Sequence, residues 1–269
     1  MSLTLKLRAV PEVPLETEVV RPDTLSGKSE KEIAALPLLY GNRRVELGEF
    51  FSVSGQANGE LRVEGDLAKV KYIGAGMTGG RLIVEGDVGS HLGAVMTGGE
   101  IEVRGNGGDW VGPEMQGGRI TIKGNAGHML GSGYRGSQIG MVDGEIIVHG
   151  NAGNETGGTM RNGLIAIAGD CGDFAGVNMR AGTIVVLGKL GNRFGAGMKR
   201  GSIVTMHEAE LLPTFTYACT YRPTFLRLYL YRLRKFGLEI ADSYFTGPYK
   251  RWSGDAVELN RGEALIYDG

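Results

Sequence analysis

Cysteine is nearly absent. With only Cys171 and Cys219 in 269 residues, the chain encodes neither a disulfide framework nor a cysteine-ligated cluster, and a reducing cytoplasm fits best. An excess of charge of one sign is also lacking: 29 Lys+Arg stand against 30 Asp+Glu, a formal net charge of -1, which argues against nucleic acid as a partner. No apolar run approaches the roughly 18 to 20 residues that cross a bilayer, so no membrane span is expected. Near the N-terminus, Leu3, Leu5 and Leu7 alternate with polar residues, which suits a strand and not the continuous apolar region of a signal peptide. Hydrophobic residues still reach 42 %, enough for a sizeable core in a soluble protein.

Glycine is the exception to this scarcity. Its 47 copies are more than twice the average usage of about 7 %, and they recur with a long period. Strand-like hexads read GELRVEG from Gly59, GRLIVEG from Gly80, GEIEVRG from Gly99, GRITIKG from Gly118, GEIIVHG from Gly144, GLIAIAG from Gly163 and GTIVVLG from Gly182, with a degenerate GSIVTMH from Gly201. The opening glycines lie 21, 19, 19, 26, 19, 19 and 19 residues apart. Met77, Met96, Met115, Met141, Met160, Met179 and Met198 keep step with them. The period is therefore 19, with two insertions.

Within a repeat the pattern is G-x-φ-x-φ-x-G-[D/N]-φ-G-x-x-φ-G-x-x-M, where φ is usually apolar. Alternation puts Leu61/Val63, Leu82/Val84, Ile101/Val103, Ile120/Ile122, Ile146/Val148, Ile165/Ile167 and Ile184/Val186 on one inward face. Glycines at the hexad ends and mid-repeat mark sharp corners. The predicted fold is all-β: a right-handed parallel β-helix, single-stranded, of about seven to eight coils of 19 residues. Outward position two runs Glu60, Arg81, Glu100, Arg119, Glu145, alternating in sign, so stacked coils would place opposite charges above one another. Each exposed pair contributes about 0.2 to 1 kcal/mol and chiefly fixes register. Asp66, Asp87, Asn106, Asn125, Asn151 and Asp170 fill one column, read as side chains that bond local backbone at a corner.

Three segments follow: an N-terminal cap over 1–58, the repeats over 59–206 and a C-terminal helical and strand extension over 207–269. The cap contains a short helix around SEKEIAALP. Open ends of a repeat stack expose unpaired strands, so caps are required. The outward positions Ile147, Leu164, Ala166, Ala168, Val185, Leu187 and Val204 are apolar and need a cover. PTFLRLYLYRLRKFG, Pro223 to Gly237, supplies one: at 100° per residue Phe225, Leu226, Tyr229, Leu230, Leu233 and Phe236 share an arc, with Arg227, Arg234 and Lys235 opposite and facing out.

Candidate chemistry is sparse. Gly74-x-Gly76-x-x-Gly79 matches a dinucleotide fingerprint, but it leads into a strand, RLIVEG, where a phosphate cradle needs a helix N-terminus. His91, His128, His149 and His207 share no column, which gives no metal site. Cys171 falls in the small apolar column of Val88, Ala126 and Ala152, a core position. Glu64 and Glu85 stack, but their column continues with Arg104 and Lys123 as a charge-balanced face. No catalytic, cofactor-binding or metal residue is expected in this chain. The seven-residue insertion around GSGYRGSQIGM puts Tyr134, Arg135 and Gln138 on a projecting loop, candidates for partner or ligand contact.

The motif G-x-φ-x-φ-x-G-[D/N]-x-G-x-x-x-G-x-x-M over about residues 45 to 206 resembles the GXGXG β-helix domain at the C-terminal end of glutamate synthase large subunits. It is more similar to the C subunit of formylmethanofuran dehydrogenases. The stretch LLPTFTYACTYRPTFLRLYLYRLRKFG resembles the version in the bacterial formyltransferase/hydrolase complex. The resemblance implies a non-catalytic scaffold beside the A, B and D subunits, in a complex that moves a formyl group from formyl-tetrahydromethanopterin to a methanofuran-type carrier and releases formate. It places zinc in the A subunit of the hydrolase form, or molybdopterin in the B subunit of the dehydrogenase form, and no cofactor here. Arg227, Arg232, Arg234 and Lys235 are then candidate contacts for an acidic partner or for the polyglutamate tail expected on the carrier. A free-standing β-helix enzyme or binding protein is the alternative of a different class.

Overall fold

A computed structural model describes residues 2–269. Every hexad is a strand, from Glu60–Glu64 and Arg81–Glu85 through Glu100–Val103, Gln116–Ile122, Asp143–Val148, Leu164–Ile167 and Thr183–Val186 to Ser202–Thr205. Each pairs in parallel with the next. The register follows the repeat, Leu61 to Leu82 to Ile101 to Ile120 to Ile146 to Ile165 to Ile184 to Ile203. A second row of parallel bridges links Leu67, Val88, Gly107, Ala126, Ala152, Cys171 and Leu190 in the same order. Successive repeats thus touch along two lines, and the seven methionines and the inward hexad residues fill the space between. The protein is predominantly β, with only short helices.

The sheet is longer than the repeats. Leu3–Leu7 adds a parallel rung before Glu60–Glu64, with Leu3 against Leu61 and Leu5 against Val63, and Phe51–Ser54 closes that end antiparallel. At the other end Gly262–Tyr267 pairs in parallel with Ser202–Thr205, followed by antiparallel Tyr249–Gly254 and Thr216–Tyr221. The sheet reaches thirteen strands. The first insertion also has a structural role: Val70–Lys71 pairs in parallel with Leu15–Glu16 and so ties the N-terminal segment to the stack. The expected short helix is Glu30–Ala34, started by a capping box between Ser29 and Glu32.

Two local expectations are corrected. The Asp/Asn column bonds across repeats more than within its own corner. Only Asp66 acts locally, accepting Ala68 N at 3.2 Å. Asp87, Asn106, Asn125, Asn151 and Asp170 each accept, through Oδ1, the backbone N–H of Asn106, Asn125, Asn151, Asp170 and Lys189 respectively, at 2.7–2.8 Å. A short side chain at a corner lies nearer to the next repeat's unpaired amide than to its own, because stacked strands stand only about 4.8 Å apart. A parallel ladder runs from Asp109 through His128, Asn154 and Asp173 to the amide of Asn192.

The second correction concerns corners. Positive φ is not confined to glycine: Tyr72, His91, Trp110, Met129, Glu155, Phe174 and Arg193, one per repeat, adopt φ of 51 to 66°. That conformation costs an L-residue roughly 1–2 kcal/mol. Glycine is needed where an inward corner also lacks room. Gly74, inside the apparent fingerprint, has φ of 70°, and a Cβ there would lie 2.8 Å from Ile101 Cδ1. Gly74 thus shapes the core, a Cβ at Gly76 would meet the Arg21 guanidinium instead, and the strand Arg81–Glu85 follows at once.

The outward charge column stacks in register, Glu60 to Arg81 to Glu100 to Arg119 to Glu145. Arg119 bridges Glu100 at 3.3 Å and Glu145 at 3.2 Å, whereas Arg81 reaches diagonally to Glu102 at 2.9 Å. Glu85 stacks on Glu64 as expected, and it is held between Arg62 and Arg104, the latter at 3.0 Å, in keeping with a charge-balanced face.

Candidate docking surfaces

The later rungs carry apolar side chains on both faces, and the chain itself covers the outer one. Helix Leu226–Lys235 is shorter than the predicted Pro223–Gly237 because Pro223 to Phe225 form a turn before it, with Leu226 N bonded to Pro223 O. Leu226, Leu230 and Leu233 are buried against Ile147, Leu164, Ala166, Val185 and Val204, joined by Leu238, Ile240, Phe245, Tyr249 and Leu265. Burying three leucines contributes about 1.5–3 kcal/mol each. Phe225 departs from the predicted arc: it is 38 % exposed, since it precedes the helical turns.

The basic residues of this helix named as candidate contacts are largely occupied within the chain. Arg227 Nε donates to Phe245 O at 2.8 Å. Arg234 bonds Asp242 Oδ1 at 2.7 Å and Ile240 O, and lies 4.5 Å from the Phe245 ring centroid. Arg232 pairs with Glu145, whose other oxygen is held by Arg119, and Phe236 lies under Arg119 at 4.3 Å. Arg227 has its carbonyl bond but no ion pair, and Lys235, exposed, has neither an ion pair nor a side-chain hydrogen bond among the described residues. Arg232 fastens the helix to the sheet while Arg227 and Arg234 tie it to the segment 240–245, and the outward-facing cationic side expected of it is reduced accordingly. A groove of about 560 Å³ runs beside Arg232, lined by Glu100, Arg119, Asp143, Tyr229 and the glycines that open the hexads.

The insertion loop is also less free than expected. Tyr134 is half-buried, its ring 6.2 Å from Trp110 and 5.6 Å from His91, with its hydroxyl 3.1 Å from His91 Nδ1. Gln138 Oε1 accepts from Arg180 at 2.9 Å. Arg135 stays exposed. Beneath Tyr134 lies a feature that comparing like residues does not reveal, a stack of Tyr72 on His91 at 4.6 Å and 7°, and of His91 on Trp110 at 5.4 Å and 17°. Its signal is present in the sequence, since positions 72, 91 and 110 share the 19-residue phase, but three different residue types fill that column. Stacking, about 0.5–1.5 kcal/mol per aromatic pair, helps offset the left-handed backbone at those three positions. A cavity of about 480 Å³ opens between this cluster and Glu18, Arg21 and Thr24.

Electrostatics fit structural roles. Burial, reinforced by Lys71, holds the His91 imidazole below its ordinary 6.5, and burial with Lys123 does the same to His149. Lys123 Nζ stands 3.1 Å from His149 Nε2, an arrangement a neutral ring accepts. Burial also raises the Tyr134 phenol and pushes the Cys171 thiol up to about 12, far from a nucleophile's range. Among the described residues no group of three or more His, Cys, Asp or Glu is placed to hold a metal ion, and no helix is long and apolar enough to cross a membrane.

Comparison with known proteins places the chain. The GXGXG motif family model matches residues 82–216. The C subunit of the molybdenum-containing formylmethanofuran dehydrogenase 1 of Methanothermobacter thermautotrophicus is 44 % identical over 83 residues, 30 % of this chain and 21 % of that protein. The C subunit of the tungsten-containing formylmethanofuran dehydrogenase 2 of Methanothermobacter marburgensis is 40 % identical over 87 residues, 30 % of this chain and 32 % of that protein. The chain therefore aligns with about a fifth to a third of the length of these relatives. A solved structure covers far more: a chain in the crystal structure of the formyltransferase/hydrolase complex (FhcABCD) from Methylorubrum extorquens with methylofuran superposes with a TM-score of 0.91 and 35 % identity, over 99 % of this chain and 100 % of that one. The protein belongs to the GXGXG family, as a homologue of the formylmethanofuran dehydrogenase C subunit.

Proposed function

We propose that the chain is the non-catalytic scaffold, the C subunit, of a cytoplasmic formyltransferase/hydrolase complex that converts formyl-tetrahydromethanopterin to formate through a methanofuran-type carrier. The observation that carries this reading is the end-to-end likeness to a chain of the FhcABCD complex, at 35 % identity over 99 % of this chain. The active sites then belong to the A, B and D subunits. In this role the repeats wind as a right-handed parallel β-helix, for which the two parallel contact lines are the support. Residues 1–58 and 207–269 act as caps that each lend one rung, and the stiff stack between them holds partner subunits at fixed separations. Arg135, Lys235 and the outer sides of Tyr134 and Gln138 are the contacts kept for partners, with Arg227, Arg232 and Arg234 reinforcing the helix that presents Lys235.

A second reading, the C subunit of a molybdenum or tungsten formylmethanofuran dehydrogenase, draws on the 44 % identity to the molybdenum enzyme's C subunit over 83 residues. One purification separates the readings. Tagged chain recovered from its native cell at low salt should bring down three further subunits and release formate from a formylated carrier, with zinc and without molybdenum or tungsten. Molybdenum or tungsten in the assembly would favour the dehydrogenase, and recovery of the chain alone as a monodisperse monomer would defeat the scaffold role.

A further inference from the structure

The position after each core methionine changes character along the stack, from Thr78, Thr97, Gln116 and Val142 to Arg161, Arg180 and Lys199. These last three stand on consecutive repeats, so their side chains follow one another at rung spacing, about 4.8 Å. Arg200 and Arg261 form a neighbouring pair, each two residues before the register partners Ser202 and Glu263. The five cations line one groove of about 430 Å³ with a single carboxylate, Glu258, which pairs with Lys199 at 3.4 Å. Arg180 has only the neutral Gln138 amide, and Arg161, Arg200 and Arg261 are exposed without an ion pair among the described residues. Like charges stacked on adjacent strands repel. The hexad column on the same stack avoids this by alternating sign, so the segregation is local in a chain of net charge -1.

One large apolar side chain, Leu259, lines the groove, and others are exposed next to its lining residues in sequence. Val257 and Leu259 are 74 % and 70 % exposed. They project from a turn pinned from beneath by buried Asp255, which accepts Gly197 N at 3.0 Å and Val257 N at 3.1 Å. The loop that Gln138 fastens to Arg180 exposes Ile139 to 41 %. Three stacked cations span about 10 Å, the reach of a short extended peptide. Large apolar side chains held out of the core beside unpaired cations fit an occupant bearing both carboxylates and apolar groups.

We infer that this strip docks an acidic polypeptide segment of a partner subunit, its carboxylates on Arg161, Arg180 and Arg200 and an apolar side chain against Leu259. Phosphate backbones and free polyanions lack the apolar half of that match. The inference rests on the multi-subunit reading above.

The test uses the purified native complex with a photoreactive residue at position 259 and sequencing of the cross-linked peptide. The expected product joins this chain to an Asp/Glu-rich segment of a different subunit. Its yield should fall at least about tenfold in the double variant Arg161→Glu/Arg180→Glu, hold in Arg161→Lys/Arg180→Lys, and fall with added salt. The isolated reversal variant should keep its thermal midpoint, since it relieves repulsion. An assembled complex that cross-links nothing at 259, joins a second copy of this chain or a segment without carboxylates, or ignores the charge reversal, would overturn the docking alone. Recovery of the chain without partners would overturn the complex reading together with it.

Discussion

Asn125 Oδ1 accepts the backbone N–H of Asn151 at 2.8 Å, although these residues are 26 positions apart and their neighbours in the same ladder are 19 apart. The seven extra residues leave the stack and return without disturbing a ladder that continues on both sides. Register is therefore held by side chain to backbone bonds at the corners as well as by strand pairing. Replacing Asn125 by Ala removes one bond and leaves the Asn151 amide unpaired, which should lower stability by about 1 kcal/mol. Urea denaturation measures it; an unchanged midpoint would show that water substitutes fully for the side chain.

Leu230 lies at the centre of the outer core, 0 % exposed between the helix and the rungs. Leu230→Ala should cost about 2–5 kcal/mol. Limited proteolysis should then cut around residues 223–237 while the inner stack survives, because the two apolar clusters lie on opposite faces of one sheet.

His91 and His149 both have folded-state pKa values held below the ordinary 6.5. The unfolded chain then binds more protons than the folded one just under that value, so the stability that neutral rings contribute is complete above about pH 6.5 and is lost as the pH falls toward the lowered values. Denaturant midpoints measured from about pH 8 to about pH 5 should decline across that window. His91→Phe, which keeps a ring for the Tyr72–Trp110 stack, should flatten the decline, and Lys123→Met should raise the His149 pKa in an NMR titration by removing the neighbouring charge.

The cysteines should part sharply. Cys219 is exposed on the outermost strand, whereas Cys171 is buried with its thiol pushed up to about 12. A thiol reagent should modify Cys219 promptly in the native protein and reach Cys171 only on unfolding. Modification of both at one rate would mean that the corner row opens readily.

The repeat was legible because its information is redundant: the inward residues Leu82, Ile101 and Ile120, the glycine corners and the methionines all keep one phase, and each alone implies the same pairing. The apolar outer face and the helix that covers it could be read the same way. Single events could not. GEALIY fits the hexad, with Gly262 opening it and Ala264 at an inward position, but it lies about sixty residues beyond its partner Ser202–Thr205 and so outside the 19-residue spacing that identifies the others. The ion pair of Arg232 with Glu145 joins a helix to a column in which Glu145 already had a partner in Arg119, and helical periodicity turns Arg227 and Arg234 outward without revealing the segment 240–245 that meets them. The aromatic stack was encoded at the repeat period, but it mixes tyrosine, histidine and tryptophan, and a search by residue type passes over it.

The rung Gly262–Tyr267 closes both the parallel sheet and the outer core, where Leu265 packs. During synthesis the repeats can stack one after another as they emerge, each against a neighbour already made. Both edges wait: the first rung is paired only when residues near 60 have been made, and Ser202–Thr205 only when Gly262–Tyr267 follows it. Until then Ser202–Thr205 is an open, sticky edge, and a ribosome that stalls between these two strands would hold the stack with that edge exposed to aggregation.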